Sequence, residues 1–350
     1  MKAMYFSEFE GALSIVDLPM PELSPKGVII KVEATGLCRS DWHGWMGHDA
    51  DISLPHVPGH ELAGVISAVG SAVKKYSVGD RVTVPFVCGC GECEWCLRGD
   101  AQVCPTQTQP GFTDFGSFAE YVAIENADFN LVEIPEGVSF SVAAALGCRF
   151  ATAFRGLVKR AKVQAGERVA IYGCGGVGLS AIMIAKALGA KVYAVDVNSS
   201  ALELAASLGA IPINSTEVDP VAFLQSAGGA HVAVDALGSE ATSGQSVMSL
   251  QRRGRHLQLG LMLTPTGLSA MPIGRVIAWE LDLLGSHGMA ARDYPEILAM
   301  VASGALNPAI LITREVDLAE GSIALREMST ASPTGITVIH PSGLGSEVTH

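Results

Sequence analysis

The sequence predicts a two-domain α/β protein, in which a doubly wound parallel sheet is inserted into a mostly antiparallel β domain. Residues 1 to about 150 form short β-type segments separated by Gly and Pro. From about Ala151 to His287, short apolar strands alternate with helix patterns, which is typical of a parallel sheet. Residues 288–350 return to a mixed pattern that ends in the strand-like run GITVIH. We therefore expect both chain ends to form one domain around an inserted domain at 151–287.

Composition and charge argue against several classes of function. The chain has 350 residues, of which 49% are hydrophobic and 17% charged, so it can bury large cores. Its net charge is −12 and it has no block of Lys and Arg, which argues against a nucleic acid or an anionic membrane as partner. The N-terminus has no signal-like apolar core, and the best candidate for a membrane span is interrupted at Lys186. With eight cysteines and no secretory signal, a reducing cytoplasm is the expected location.

The first 150 residues predict a partly closed β-barrel with long loops, and one loop carries a cluster of cysteines. In the run CGECEWCLRGDAQVC, four of them stand at the spacing C-x2-C-x2-C-x7-C: Cys90, Cys93, Cys96 and Cys104. Four thiolates at this spacing can converge tetrahedrally on one ion, and Zn²⁺ prefers such a set. The alternative is a disulfide-bonded loop or free thiols. Because four sulfur ligands leave no open position, we expect residues 88–104 to hold a structural zinc ion.

Residues 151–287 supply the strands and helices of the parallel sheet in alternating order. RVAIYG is the first strand and GVGLSAIMIAKALGA the first helix, followed by the strand KVYAVDV and the helix SSALELAASLGA. HVAVDAL, RHLQLGL and LDLLGS continue the pattern. This order predicts a doubly wound sheet, which binds ligands at the carboxyl ends of its strands.

The first turn from strand to helix predicts a dinucleotide site. It has the spacing G-x-G-x-x-G, and its candidate binding residues are Gly173, Gly175, Gly176, Val177 and Gly178. Glycines let backbone N–H groups approach a pyrophosphate closely, and the helix N-terminus adds a favourable dipole. The alternative for these glycines is a turn that serves only packing.

Asp196, at the end of the second strand, favours NAD over NADP. It follows the glycine motif at close to the spacing expected for the acidic residue that accepts hydrogen bonds from both ribose hydroxyls. Its carboxylate would repel a 2′-phosphate, and the next residues, Val197 and Asn198, provide no cation for one. The alternative role for Asp196 is a helix cap.

Four residues outside these motifs are further candidates for chemistry. Cys38 lies in GLCRSDWHG, His60 and Glu61 lie in PGHELAG, and Cys148 lies in LGCRF. A single Cys or His is more often a core residue than a metal ligand, and the sequence alone does not bring these four together.

In their order along the chain, these motifs resemble those of the zinc-dependent medium-chain alcohol dehydrogenases. The similarity rests on GLCRSDWH, PGHELAG, the cysteine loop, LGCRF, and YGCGGVG with its acidic residue, and it covers nearly the whole length. It implies a GroES-like β domain, a Rossmann domain that binds NAD, and two zinc ions per chain. Cys38, His60 and Cys148 would hold the catalytic zinc, as in alcohol dehydrogenases generally. Glu61 would lie beside the metal and bind it transiently, and Asp41 would hydrogen-bond the free nitrogen of His60.

The resemblance also implies a proton relay and a substrate pocket. Ser40 and His43 match the relay, which runs from the serine hydroxyl through the cofactor ribose to the imidazole and water. The alternatives are a turn-forming serine and a surface histidine. The pocket would draw on the apolar side chains of Trp42, Trp45, Phe86, Phe112 and Leu261. Their size favours an aryl or medium-chain substrate over a polyol, although each of them could equally be a core residue.

Some positions depart from the family pattern. Arg149 directly follows the third zinc ligand, where many members carry a small residue. Ile336 stands where many carry an arginine that contacts the pyrophosphate, so that Arg292, in SHGMAARDY, would supply that charge alone. Cys88 and Cys174 match no ligand position and are expected to be free thiols.

The sequence thus predicts an NAD-dependent alcohol dehydrogenase or carbonyl reductase, a homotetramer or dimer, acting on primary or secondary alcohols, aldehydes or ketones. One alternative is a polyol or threonine-type dehydrogenase of the same superfamily, which needs polar groups in its pocket. A second alternative is a non-catalytic NAD-binding structural or redox-sensing protein. That protein would be expected to lose the catalytic zinc ligands, and all three are present here. The exact substrate, the stereochemistry and the physiological direction do not follow from the sequence.

Overall fold

The computed structural model describes residues 1–263, 268–330 and 333–344. The chain divides into two compact units by its internal contacts. These are unit 1, formed by Met1–Ala151 and Gly288–His350, and unit 2, formed by Thr152–His287. Both ends of the chain therefore belong to unit 1.

The described residues form strands and helices that are numbered here in chain order. The strands are β1 (Lys2–Tyr5), β2 (Ser14–Asp17), β3 (Val28–Leu37), β4 (Glu61–Val69), β5 (Arg81–Thr83), β6 (Tyr121–Ile124), β7 (Val132–Glu133), β8 (Arg168–Tyr172), β9 (Lys191–Asp196), β10 (Ile211–Asn214), β11 (Ala230–Asp235), β12 (Leu250–Gln258), β13 (Asp282–Gly285), β14 (Ile312–Asp317) and β15 (Ile336–His340). The α-helices are α1 (Arg39–Trp45), α2 (Glu94–Arg98), α3 (Ala127–Asn130), α4 (Phe140–Ala145), α5 (Ala151–Arg155), α6 (Gly176–Ala187), α7 (Ser199–Ser207), α8 (Pro220–Ser226), α9 (Glu240–Met248), α10 (Ile273–Trp279), α11 (Tyr294–Ala302) and α12 (Leu318–Glu327). Short 3₁₀ or π segments lie at Ala101–Val103, Leu146–Phe150, Gly156–Arg160, Ala291–Asp293 and Pro308–Leu311.

Unit 1 is built on a mostly antiparallel sheet. Its described strands follow the order β14-β15-β3-β4-β5-β7, with β6 also paired to β3, and in this sheet only the β14–β15 pair is parallel. Alternate residues of β3, namely Val28, Ile30 and Val32, pack with Leu62 and Ile66 of β4 in one core. Complete burial of such a side chain contributes about 1.5–3 kcal/mol. The sheet confirms the predicted antiparallel β domain.

Unit 2 is built on a parallel sheet, whose described strands follow the order β10-β9-β8-β11-β12-β13. The chain winds from β8 outward to β10, and then from β11 outward to β13 on the other side. Strand β8 is apolar and buried along nearly its whole length, as expected for a parallel strand covered on both faces. The order confirms the predicted doubly wound sheet, and the glycine turn that follows β8 lies at the point where the winding reverses.

Within the described residues, one helical stretch, Phe140–Arg160, is long and apolar enough to cross a membrane by length and composition alone. This stretch differs from the apolar run interrupted at Lys186 that the sequence pattern offered as the best candidate. Its most apolar window is 78% buried in the protein, and interior helices of globular proteins satisfy the same test. The stretch is also interrupted by Gly147, whose ψ of −108° is not helical, directly before Cys148.

Candidate metal, relay and nucleotide sites

The cysteine loop brings its four thiols together. Helix α2 begins after Cys93, whose sulfur accepts the N–H of Cys96, and the short helical turn at 101–103 returns the chain to Cys104. The Sγ–Sγ distances are 3.9 Å between Cys90 and Cys96 and 3.7 Å between Cys93 and Cys104. Tetrahedral Zn–S bonds of about 2.3 Å imply sulfur separations of about 3.8 Å. The loop therefore fits a zinc ion.

The electrostatics of the loop also suit a cation. Backbone N–H groups, first that of Glu92, lower the pKa of Cys90 to about 6, whereas burial raises the pKa of Cys96 to about 12. Thiolates bind metals and thiols do not, so a bound cation would draw the protons from the less acidic members of the set.

A second group of candidate ligands meets at the ends of three elements of unit 1. Cys38 follows β3 and precedes α1, and His60 directly precedes β4. Because Gly36 of β3 pairs with Glu61 of β4, these two strand ends lie side by side. Cys148 reaches the same point from the π turn after α4. One ligand atom from each of Cys38, His60, Glu61 and Cys148 lies within 4.8 Å of the others.

Asp41 holds the first two ligands in place. Its carboxylate accepts the N–H of Cys38 at 2.8 Å, the N–H of Gly59 at 3.1 Å and Nδ1 of His60 at 2.8 Å. The first of these bonds is half of a capping box, since Asp41 is the third residue of α1. The tautomer that donates from Nδ1 leaves Nε2 as the free ring nitrogen of His60.

That free nitrogen is the observation that best supports a metal. Nε2 of His60 is buried and has no hydrogen-bond partner among the described residues. A buried polar atom without a partner is costly, and a metal ion would satisfy it. The remaining donors, two thiols and a carboxylate, are those that Zn²⁺ accepts, so the residues present fit a zinc ion.

The acidities within this group are shifted by its members. A hydrogen bond from the Cys148 thiol lowers the pKa of Cys38 well below its ordinary value, although burial opposes the shift. The same contact, together with burial, raises the pKa of Cys148. Burial works against a charged His60, but the Asp41 carboxylate raises the pKa of this imidazole above its ordinary value.

Arg149, which had no role assigned from the sequence, binds the carboxylate of Glu61. Oε1 of Glu61 accepts the backbone N–H of Arg149 at 2.9 Å and the Nε–H at 3.1 Å, and its Oε2 forms an ion pair with Nη2 of the same guanidinium. Both residues are buried. Burial works against a charged Arg149, but the Glu61 carboxylate raises its pKa above the ordinary value. Both oxygens of Glu61 are thus held beside the metal ligands.

Two glycines make room for this ion pair. A Cβ added at Gly36 would lie 2.3 Å from Oε2 of Glu61 and 2.9 Å from Nη2 of Arg149. A Cβ added at Gly147 would lie 2.7 Å from Cβ of Glu61. The sequence did show an unusual arginine directly after the third ligand. It did not show the partner of this arginine, because Glu61 lies 88 residues earlier in the chain.

The two predicted relay residues lie on helix α1. Ser40 Oγ is 3.8 Å from the sulfur of Cys38, and Ser40 and His43 are both half-buried. Nδ1 of His43 lies 3.0 Å from Nδ1 of His48, a residue that sequence reasoning missed. A partial signal was available, because Gly47 directly precedes His48 and a glycine just past a helix end often folds the next residue back onto the helix.

The predicted pocket residues have different surroundings. The rings of Phe86 and Phe112 pack edge-on against His60, with centroid distances of 6.0 and 5.1 Å. Trp45 belongs to the core and donates to the carbonyl of Gly11, and Trp42 packs against the same core. Leu261 belongs to unit 2 and is 53% exposed. Their role in binding substrate remains a prediction.

The glycine turn of unit 2 has the form that a nucleotide needs. Gly173 has a φ of +92°, and a Cβ at Gly178 would lie 1.8 Å from the carbonyl oxygen of Gly173. By contrast, a Cβ at Gly175 would meet no atom of the described residues within 4 Å, so open space lies beside the N-terminus of α6. This close turn with an open side fits a pyrophosphate.

Asp196 and Arg292 make contacts that the sequence did not predict. The Asp196 carboxylate accepts the N–H groups of Cys174, Val197 and Asn198 at 2.6–2.9 Å, so it ties the glycine turn to the end of β9. Arg292 is exposed in unit 1 and donates to the carbonyl of Arg98 at the end of α2. Their predicted roles toward NAD remain predictions.

The two remaining cysteines are buried free thiols. Burial raises the pKa of Cys88 to about 12 and also raises that of Cys174. Both therefore stay protonated near neutral pH, and neither belongs to a metal-binding group found among the described residues.

Two family models match the chain. The model for the alcohol dehydrogenase GroES-like domain matches residues 24–136, and the model for zinc-binding dehydrogenase matches residues 176–303. An alcohol dehydrogenase from Geobacillus stearothermophilus is 36% identical over 91% of this chain and 93% of its own length. An NAD-dependent alcohol dehydrogenase from Sulfurisphaera tokodaii is 31% identical over 97% of this chain and 100% of its own length.

Solved structures give the same result. Alcohol dehydrogenase TADH from Thermus sp. ATN1 superimposes with a TM-score of 0.89 at 29% identity, over 97% of this chain and 99% of that one. Galactitol-1-phosphate dehydrogenase from Escherichia coli gives a TM-score of 0.85 at 25% identity, over 97% and 100%. These relatives support an NAD-dependent oxidoreductase that acts on alcohols. The chain belongs to the zinc-dependent medium-chain dehydrogenase family.

Proposed function

We propose that this enzyme transfers hydride reversibly between an aryl or medium-chain alcohol, primary or secondary, and NAD. The observation that carries the proposal is that Cys38, His60 and Cys148 bring their ligand atoms together. The Nε2 atom of His60 is buried there without a partner among the described residues. Three protein ligands leave one position of a tetrahedral zinc open, which is the arrangement of a catalytic site. When bound, zinc would act as a Lewis acid toward the substrate oxygen and NAD would accept the hydride.

The chain's own residues would orient and neutralise this site. Asp41 fixes the tautomer of His60 and the backbone of Cys38, so that both ligands keep their geometry between turnovers. Arg149 compensates the charge of Glu61 and holds both of its oxygens. The apolar rings of Phe86 and Phe112 against His60 would exclude water from the reacting oxygen.

Proton release would use Ser40 and His43. The serine hydroxyl lies next to a metal ligand, where it can accept the proton of an alcohol and pass on its own. His43 is half-buried on the next turn of α1 and would carry the proton toward solvent.

The glycine turn of unit 2, with Gly173, Gly175, Gly176, Val177 and Gly178, would hold the pyrophosphate of NAD. Asp196 would accept from the ribose hydroxyls, and Arg292 would contribute positive charge toward the phosphates. A variant that combines Asp196→Asn with Val197→Arg tests this, because asparagine keeps an oxygen for the turn while the pair of changes removes repulsion of a 2′-phosphate. The ratio of kcat/KM for NADP to that for NAD should rise, and an unchanged ratio would remove Asp196 from cofactor selection.

Further features of the enzyme are also proposals. Each chain would hold two zinc ions, the second in the four-cysteine loop. A homotetramer or dimer is favoured because β13 is the outer described strand of its sheet and its Leu283 and nearby Ile277 are 42% and 73% exposed. Eight free cysteines suit the reducing cytoplasm, with small alcohols and carbonyl compounds as partners and no nucleic acid or membrane.

A coenzyme-linked screen of alcohols, aldehydes and ketones tests the reaction. Full-length, zinc-replete protein should reduce NAD with aryl or medium-chain alcohols, and Cys38→Ser should lose this turnover while still binding NADH by fluorescence titration. Cys88→Ser is the matched control, because its thiol is buried but lies outside both metal groups. Retained turnover in Cys38→Ser at saturating zinc would reject the catalytic site.

A polyol dehydrogenase is the second candidate, because one similar solved structure is a galactitol-1-phosphate dehydrogenase. A threonine-type dehydrogenase belongs to the same group of alternatives. Both need polar groups around the substrate, whereas the predicted pocket residues are apolar. Preference for a polyol or for threonine in the same screen would replace the first proposal. A non-catalytic NAD-binding protein would show NADH binding without turnover of any substrate.

A further inference from the structure

The end of helix α1 brings two histidines together through its backbone. Gly47 has a left-handed φ of +74°, its N–H donates to the carbonyl of Gly44 at 3.1 Å, and the N–H of His48 donates to the carbonyl of His43 at 2.9 Å. These two bonds form a Schellman motif, which places the side chains of its first and last residues in contact. In this chain both of those residues are histidines.

Their contact is a hydrogen bond between two ring nitrogens. Nδ1 of His43 lies 3.0 Å from Nδ1 of His48, so one ring donates and the other accepts. Trp42 packs edge-on against both rings, with centroid distances of 4.9 and 5.7 Å, and its Nε1 donates to Ser329 at 2.9 Å. The pair is therefore held by packing on one side and by the backbone turn on the other.

The pair also leads from the interior of unit 1 to its surface. Cys38 is buried, His43 is half-buried and His48 is exposed. Burial, then the neighbouring His48 and Arg39, lower the pKa of His43 to about 4, while Cys38 acts in the opposite direction. His43 is thus neutral near pH 7, with one nitrogen that carries hydrogen and one that can accept it.

We propose that His48 is the outlet of the proton relay. When Nε2 of His43 accepts a proton, the hydrogen on Nδ1 of His43 moves to Nδ1 of His48, and His48 releases the hydrogen of its own Nε2 to water. At each ring one N–H bond forms and one breaks, so the pair passes one proton outward and its charge does not change. Between turnovers both rings return to their starting tautomers by exchanging their N–H hydrogens with water, so the full cycle carries one proton from the relay to solvent. The inference rests on the relay role of His43 in the proposed function, and it makes His48 a residue that acts through His43.

Replacing His48 with glutamine distinguishes a role in proton transfer from a purely structural role. In His48→Gln the side chain can still hydrogen-bond His43 but cannot pass on a proton, whereas His48→Ala loses both functions. The kinetic test measures pH–rate profiles of alcohol oxidation for the zinc-replete parent, His48→Gln, His48→Ala, His43→Gln and the double glutamine variant. His231→Gln, the same exchange on β11, is the matched control.

Near neutral pH both His48 variants should oxidise alcohol more slowly than the parent, by up to about 10-fold. General acid–base groups contribute at least ~10²-fold to the rate, and the loss is smaller here because water offers the proton another route. High pH or added imidazole should restore the rate, and the double variant should be no slower than His43→Gln. If His43→Gln is slow and His48→Gln matches the parent at every pH, the outlet is rejected and the relay stands. If His43→Gln also matches the parent, relay and outlet are both rejected.

A second readout needs no turnover. In protein labelled with ¹⁵N-histidine, NMR should detect a scalar coupling between the two Nδ1 atoms across their hydrogen bond, and His48→Gln should abolish it. Two Nδ1 resonances without mutual coupling, each with the shift of a solvent-exposed nitrogen, would reject the pair in solution and the outlet with it.

Discussion

The buried ion pair of Arg149 and Glu61 sets the charge beside the candidate zinc ligands. Two thiolates from Cys38 and Cys148 would neutralise Zn²⁺, so an unpaired Glu61 would leave a net negative site in a dry environment. Arg149 removes that excess and occupies both carboxylate oxygens. For Glu61 to bind the metal transiently, as the family resemblance implies, it must first loosen this contact.

Replacing one member of the pair should be more harmful than replacing both. Arg149→Met leaves the Glu61 carboxylate buried without its partner and should reduce the free energy of unfolding by about 3–5 kcal/mol. The double variant with Glu61→Gln should recover a large part of that loss. Urea denaturation of the four proteins of this double-mutant cycle provides the measurement. Additive losses, with no recovery in the double variant, would mean that the two groups do not stabilise each other.

The lowered pKa of His43 predicts a pH-dependent difference in stability. An imidazole with a lower pKa in the folded than in the unfolded state binds fewer protons when folded, so its contribution is complete above about pH 6.5 and is lost as the pH falls toward 4. His43→Gln has no such group. Between pH 7.5 and pH 5 the parent should therefore lose more of its urea-unfolding free energy than the variant. Equal losses would show that the half-buried environment of His43 does not shift its pKa.

At the scale of elements, the candidate chemistry sits where strands and helices end. Cys38 precedes α1, His60 precedes β4, and Cys148 lies in the π turn after α4. Sequence patterns predicted these strands and the doubly wound sheet because apolar alternation and glycine turns are local signals. They did not predict the partner of Arg149, because that contact joins residues 88 positions apart, one at the start of β4 and the other in the π turn after α4.

The three zinc ligands were assigned by resemblance and not by spacing, since the first and third are more than a hundred residues apart. The histidine pair at the end of α1 is a different case. Its separation of five residues is local, but the contact depends on a helix that ends just before Gly47 and on the left-handed conformation of this glycine, and no helix was predicted at this segment. The glycine at the end of this helix is thus a sequence signal for the histidine contact that the prediction did not use.

Gly47→Ala tests how much the left-handed turn at the end of α1 contributes to the free energy of unfolding. Alanine must adopt the positive φ at a cost of about 1–2 kcal/mol, and its Cβ would also lie 2.9 Å from the ring of Phe9. Gly79→Ala is a matched control in unit 1, because Gly79 has a φ of +98° but its added Cβ would meet no described atom within 4 Å. The unfolding free energy should fall further in Gly47→Ala than in Gly79→Ala. Equal losses would mean that the contact with Phe9 is relieved without cost.

At the scale of the whole molecule, unit 1 contains both candidate metal groups and unit 2 contains the glycine turn. The two metal groups differ in kind. The cysteine loop offers four sulfur atoms, and backbone N–H groups of the same loop donate hydrogen bonds to those of Cys90 and Cys93. The other group offers two sulfur atoms and one ring nitrogen, beside a carboxylate that Arg149 binds. A closed site should exchange its metal slowly and support the fold, and a site with an open position should exchange faster.

Metal counting with single variants separates the two sites. The zinc-replete protein should contain about two equivalents by elemental analysis, because each group fits one tetrahedral ion. Cys38→Ser should keep about one equivalent and an unchanged fold, since the cysteine loop is intact. Cys93→Ser should also keep about one equivalent but unfold at lower urea concentration, because the loop loses its cross-link. A brief exposure to chelator should remove zinc first from the site of Cys38, His60 and Cys148, with loss of turnover before loss of secondary structure. A single equivalent in the parent that disappears in Cys93→Ser would reject the catalytic zinc and leave the cysteine loop as the metal site.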